Sequence, residues 1–345
     1  MEKVPKVLFV SPIYKEKIWG GRKLESQLGR KIPEGFIGES WEVSVYGSDI
    51  SLIENPEFQN LPLTTLIQKA PNEVLGKPFA NSGLPLLVKV IDAKEKLSVQ
   101  VHPDDAYALE FDPKSKGKKE CWYVLSADPG AELVVGFDIN TSREEYESLV
   151  KKNLGESVLR KWKVKAGDVF LLNPGTIHAI GGGVVLLEVQ QSSDSTYRVY
   201  DYGRIGDDGK PRELHLEKAL SVLNFEKSNG NEKLEKIPLG FQPFPRYLFT
   251  SNDKFRLESW EFDQAQNFTF SSLAEPACFG IFFTTSGSVY FPELQRKVGP
   301  GETFFVTASG FSETISAYAD PGTKLTFMSA GSDMVKYQSP DPLTS

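Results

Sequence analysis

The apolar residues of this chain come in short runs, each closed within a few positions by Gly, Pro or Asn, and few runs are long enough for a helix. Short runs rich in Val, Ile, Leu and Phe read as strands. They predict strands over Trp41–Tyr46, Ser51–Glu54, Leu86–Asp92, Lys96–Val101, Cys121–Ser126, Glu132–Phe137, Asp168–Leu172 and Val184–Gln190. After Gly240 the pattern resumes over Arg246–Thr250, Arg256–Phe262, Phe279–Thr284, Ser288–Phe291, Thr303–Val306 and Lys324–Met328. Helical signals are confined to Leu63–Ala70, a capping box at Thr141-Ser142-Arg143-Glu144 running on through Val150, and Glu213–Leu223. Many short strands with regular turns and a few inserted helices make a mainly β barrel or sandwich. The polar stretch Lys227–Lys236, with Asn-Gly-Asn inside it, reads as a linker between units 1–235 and 236–345.

A weak internal repeat suggests that the two units are alike. Val164-Lys-Ala-Gly167-Asp168-Val-Phe170 matches Val298-Gly-Pro-Gly301-Glu302-Thr-Phe304, and this register places Ser312 opposite His178. A second match, of Cys121-Trp122 with Cys278-Phe279, places Ala277 opposite Glu120. Both registers predict that the second unit lacks the polar residues of the first, so the chemistry belongs to residues 1–235.

The net charge of −7 leaves no basic field to attract nucleic acid or an anionic membrane. No apolar run is long enough to span a bilayer, and residues 1–20 carry charges throughout with no apolar signal core. Cys121 and Cys278 lie far apart and suggest no disulfide framework. The expectation is a cytoplasmic protein, monomeric or weakly self-associating, acting on a small molecule.

With only three histidines, His102, His178 and His215, any imidazole site is nearly fixed. Gln100 and His102 are two apart at a strand end and project from one face. Glu120 opens the next strand, and His178 closes the turn Asn173-Pro-Gly175-Thr-Ile-His178. One amide oxygen, one carboxylate and two imidazoles suit zinc and leave a position open. His215, near the start of a predicted helix, reads as a surface or capping residue, and alternation turns Cys121 to the opposite face from Glu120.

Gln100-Val-His102-Pro103, Lys118-Lys-Glu120, Pro174-Gly-Thr-Ile-His178 and Ser193-Asp194…Arg198 together resemble the type I phosphomannose isomerases in their short bacterial form. Trp19-Gly20-Gly21 is similar to that family's N-terminal motif, and the resemblance weakens beyond about residue 225. It implies two cupin (jelly-roll-like) β-barrels and one zinc ion per chain on Gln100, His102, Glu120 and His178. The reaction it implies is mannose 6-phosphate to fructose 6-phosphate, with Arg198 as the active-site cation. The spacer between Glu120 and His178 is shorter than in eukaryotic relatives, which carry a helical domain there.

An aldose–ketose isomerase moves a proton between C2 and C1 through an enediol(ate), and charge on O1 and O2 must be stabilised. Ser98 shares the face of Gln100, and Lys118 precedes Glu120 by two residues, so both are candidates for the substrate, as is Asp194. Lys89, inside the apolar run Leu87-Val-Lys89-Val-Ile, either meets a partner or cavity or snorkels to water. The general base is open among a metal-bound hydroxide, Glu188, Asp194 and a lysine of lowered pKa. Two rival readings are a non-haem metal cupin oxygenase and a non-catalytic cupin that binds sugar phosphates. The amide ligand and the absence of a third active-site histidine speak against the first, and Arg198 with Lys118 against the second.

Overall fold

A computed structural model describes residues 3–113, 116–206, 209–270, 278–313 and 315–331. The chain opens with β1 (Val7–Leu8), β2 (Ile13–Gly21) and β3 (Ile37–Val43), then the hairpin β4 (Val45–Tyr46) and β5 (Asp49–Ile50). β6 (Leu86–Ala93), β7 (Val99–Val101), β8 (Glu120–Ala127), β9 (Glu132–Phe137) and β10 (Leu159–Lys163) follow. β11 (Val169–Leu172), β12 (His178–Ile180), β13 (Val184–Gln191), β14 (Tyr197–Tyr200) and β15 (Lys233–Leu234) complete the first half. The second half holds β16 (Ile237–Gly240), β17 (Arg246–Ser251), β18 (Phe255–Phe262), β19 (Gln266–Thr269) and β20 (Gly280–Ser286). It ends with β21 (Val289–Phe291), β22 (Arg296–Val298), β23 (Thr303–Val306), β24 (Ser316–Ala319) and β25 (Thr323–Ala330). Among the described residues seven short helices are inserted: α1 (Lys23–Ser26), α2 (Leu63–Lys69), α3 (Pro71–Val74), α4 (Asp105–Phe111), α5 (Arg143–Lys151), α6 (Leu216–Val222) and α7 (Ala308–Ser312). A capping box forms at the start of α5 one residue later than predicted, where Ser142 and Glu145, rather than Thr141 and Glu144, bond each other's backbone N–H groups.

Each half is a pair of facing sheets in jelly-roll style, and the strand orders repeat. In the first half β11-β8-β13-β6 lies opposite β10-β9-β12-β7; in the second, β23-β20-β25-β18 lies opposite β22-β21-β24-β19. The two seven-stranded sheets pack back to back through one shared core. Val88, Val90, Cys121, Leu187 and Val189 from the first sheet meet Phe255, Leu257, Phe279, Ile281 and Met328 from the second. Strand alternation then decides what faces the other way. On the first sheet's front, Trp122, Val124, Phe170 and Leu186 pack against Leu133, Val135 and Ile180 of the smaller sheet. Lys89, Glu120, Glu188 and Gln190 share the parity of that front and are all buried.

The halves are also tied by polar contacts. Arg30 donates to both carboxylate oxygens of Glu42 at 2.7 and 2.9 Å, while Thr303 from the second half donates to Glu42 at 2.7 Å. The N-terminal strand β1 pairs with β23, so the chain begins in the sheet that its end completes.

The 134-residue register of the sequence repeat is right for β11 and β23. It fails at Ser312, because α7 is inserted after β23 and the strand equivalent to β12 begins only at Ser316. Ala277 lies outside the described residues. The cross-strand row Phe170–Trp122–Glu188–Lys89 corresponds to Phe304–Phe282–Phe327–Glu258, so the position of Glu120 is taken by Gly280. A Cβ at Gly280 would come within 2.6 Å of Phe327 and 2.8 Å of Phe311, so the second half fills with aromatic rings the space that the first half lines with carboxylates. The expected linker is not free of the sheets: β15 pairs with β11 at Val169–Leu234 and Phe170–Lys233.

Candidate metal centre

Three buried groups, His102, Glu120 and His178, bring one ligand atom each to within 4.8 Å of one another. β8 supplies Glu120 from its first residue, β12 supplies His178 from its first residue, and His102 follows β7 directly. The Nε2 atoms of His102 and His178 each lie 3.4 Å from a different oxygen of Glu120. Each imidazole is fixed from behind: Nδ1 of His102 faces the Ser195 carbonyl at 2.6 Å, and Nδ1 of His178 faces that of Thr176 at 2.9 Å. A carbonyl only accepts, so Nδ1 carries the proton and both Nε2 lone pairs are turned to the centre, the tautomer a metal requires.

Gln100 pairs with His178 across β7 and β12, and its amide nitrogen stands 3.3 Å from His178 Nε2; a half-turn of the amide brings Oε1 there instead. Neither buried oxygen of Glu120 has a hydrogen-bond donor in good geometry, and the Lys118 ammonium lies 2.7 Å from Oε2. A buried carboxylate left this way, facing two unprotonated imidazole nitrogens and an amide, fits a divalent cation of the zinc type.

The charges around the centre are strongly coupled. Burial opposes ionisation of Glu120, but the Lys118 charge beside it overcomes this, and its pKa lies well below the usual carboxylate range. Burial pushes His178 down to about 3, and burial with the Lys118 charge also lowers His102, so both rings are neutral in the folded protein. Burial pushes Glu188 up to about 7. Burial disfavours the charged forms of Lys89 and Lys118, yet neighbouring carboxylates outweigh it and raise both above the ordinary lysine value.

Lys118 touches this centre, and Ser98, Arg198, Lys89, Glu188 and Asp194 are linked around it. Ser98 donates to Gln100 at 3.4 Å and accepts from Arg198 Nε at 3.3 Å. Lys89 does not snorkel. It is buried in mid-strand, with its ammonium 3.3 Å from Asp194, 3.8 Å from Glu188 and 4.0 Å from Glu39, over the face of Trp41. The Glu188 carboxylate accepts from Trp122 Nε1 at 3.0 Å. Cys121 packs in the back core, as alternation requires. Glu39 and Trp41 were missed in the sequence. Trp41 donates to Glu39 at 2.7 Å, and the two side chains share a strand face that the predicted start at Trp41 cut short. The Trp19-Gly20-Gly21 motif is explained by close approach: a Cβ on Gly20 would meet Gly38 N at 2.5 Å, and one on Gly21 the Asp92 carboxylate at 2.5 Å.

Residues 7–123 match the family model described as phosphomannose isomerase type I, catalytic domain. The mannose-6-phosphate isomerase of Streptococcus mutans is 44% identical over 220 residues, 64% of this chain and 68% of that one. GmuF of Bacillus subtilis, named a probable mannose-6-phosphate isomerase, is 35% identical over 301 residues, 87% of this chain and 93% of that one. Among solved structures, a mannose 6-phosphate isomerase from Bacillus subtilis superposes with a TM-score of 0.82 at 29% identity, covering 94% of this chain and 99% of that one.

Proposed function

The chain belongs to the type I phosphomannose isomerase family and is a mannose-6-phosphate isomerase, and we propose that it works with one zinc ion held by Gln100, His102, Glu120 and His178. The observation that most supports this reading is the pair of backbone-fixed imidazoles aimed at a buried carboxylate that has no hydrogen-bond donor in good geometry. Bound there, zinc supplies Lewis-acid stabilisation of negative charge on the open-chain sugar's oxygens.

The remaining steps belong to the chain. Glu188, buried and held near pH 7, moves the proton between C2 and C1 through the enediol(ate), because a base poised at neutrality can both accept and return it. Lys89 sets Glu188 and Asp194 in place and hands Asp194 to a sugar hydroxyl. Ser98, beside Gln100, donates to the substrate, and Lys118 turns its ammonium to it once Glu120 is engaged by the metal. Arg198 adds fixed positive charge at the rim, anchored through Ser98.

In the same proposal residues 1–235 form the catalytic unit and 236–345 a second β unit without a metal site. Gly280 and Phe327 in the positions of Glu120 and Glu188 support that division. Two buried thiols with no disulfide suit a reducing cytoplasm. The test is metal content measured alongside isomerase rate on the purified protein. Activity should vanish with a chelator and return with zinc, whereas a zinc-loaded protein that leaves mannose 6-phosphate unchanged would refute the reading.

A further inference from the structure

We propose that His215 is a positioning residue for Arg198, holding the arginine's backbone at the rim of the site by a two-way clamp. The inference rests on the functional reading above, in which Arg198 is the active-site cation. β14 is the outermost strand of its sheet, in the order β10-β9-β12-β7-β14, so one side of it has no strand partner. At Arg198 that side is closed by a single residue. The Arg198 N–H donates to His215 Nδ1 at 3.2 Å, and the His215 N–H donates to the Arg198 carbonyl at 2.7 Å. An imidazole lone pair thus stands where a strand partner's carbonyl would be. The arginine side chain is held from the same segment, since Nη1 donates to the Glu213 carbonyl at 2.7 Å.

Three observations say that the clamp serves the site. First, Arg198 is the cross-strand partner of Gln100, which is itself the partner of His178. Because Arg198 turns its N–H and C=O outward to His215, its pair with Gln100 is of the non-hydrogen-bonded kind, in which facing side chains come closest. A shift of β14 therefore moves the guanidinium against the candidate ligand row. Second, the matching sheet of the second half ends at β19, with no strand equivalent to β14 among the described residues. The added edge strand belongs to the half that carries the metal centre. Third, His215 stands at the N-cap of α6 but makes no side-chain cap there, so its ring is committed to Arg198 rather than to the helix. α6 in turn packs Ala219 and Leu220 against Val99, Val101 and Val199 on the outer face of that sheet, which holds the clamp in place.

The test compares two variants of nearly equal shape in the zinc-loaded enzyme. His215→Asn keeps an acceptor, Oδ1, at the position of Nδ1; His215→Leu removes it. Both should hold wild-type zinc and keep KM for mannose 6-phosphate within about threefold, since the ligand set is untouched and Arg198 acts on charge that develops during the reaction. The leucine variant should lose about 10- to 100-fold in kcat, the scale on which misplaced catalytic groups act, while the asparagine variant stays within about threefold of wild type. If the leucine variant does not fold, His215→Ala gives the same comparison. Equal kcat for the acceptor and non-acceptor variants would overturn the proposal, as would zinc loss in step with turnover. A wild-type enzyme without isomerase turnover would instead strike the functional reading beneath it.

Discussion

Acidifying the metal-free protein should expose the burial of His178 directly. In the fold its pKa is pushed down to about 3, against an ordinary value of 6.5. A base whose folded pKa is depressed binds its proton more readily in the unfolded chain. The stability it confers is therefore whole above pH 6.5 and drains away as pH falls toward 3. At pH 5 the folded ring is still neutral while the unfolded one is nearly all protonated. The loss relative to pH 7 is RT ln(1 + 10^1.5) less the small term already present at pH 7, or about 2 kcal/mol. Urea unfolding in chelator at pH 7 and pH 5, on wild type and on His178→Gln, reads this contribution as the difference between the two proteins. Wild type should lose about 2 kcal/mol more than the variant over that interval. Equal losses would mean that His178 titrates in the fold as it does in the unfolded chain, as a solvated ring does, and the ligand geometry drawn around it would be wrong.

With zinc present, His178→Ala should lose both the metal and the isomerase activity, read by elemental analysis beside a coupled assay. Arg198→Ala should keep a full complement of zinc while kcat falls about 10²- to 10³-fold, and normal turnover in that variant would remove the arginine from the mechanism. Glu188 must be ionised to accept a proton, so the wild-type rate should decline as pH drops below about 7. In Glu188→Gln the residual rate, lower by about 10²- to 10⁴-fold, should show no such decline. Gly280→Ala should destabilise the protein by about 1–3 kcal/mol through overpacking against Phe311 and Phe327, lowering the thermal midpoint while kcat at 25 °C stays unchanged.

Much of this was legible in the sequence where period-two alternation is strong. β6, β8, β9 and β13 lie within a residue or so of their predicted limits, because each is a long apolar run in the middle of a sheet. The same alternation correctly separated Glu120 from Cys121. β12 and β14 were not predicted: each is only three or four residues long, and their pairing comes from neighbours distant in sequence. Ser51–Glu54 makes only isolated bridges, Val10–Ile53 and Leu52–Pro62, since neither partner continues alongside it. Glu39 escaped notice because its importance lies in Lys89, which reaches it from another strand. His215 read as a surface or capping residue because nothing local reveals that its ring closes the edge of a strand some seventeen positions earlier.

The back-to-back sheets make the C-terminal half more than an appendage. A fragment ending near residue 235 would leave β1 without the strand it zips onto and would bare to water the valine and leucine face now pressed against Phe255, Phe279 and Met328. The core between the two large sheets belongs to both halves at once, while the front of the first sheet packs within its own half. The half filled with phenylalanine is the wall against which the sheet carrying Glu120 and Glu188 is packed.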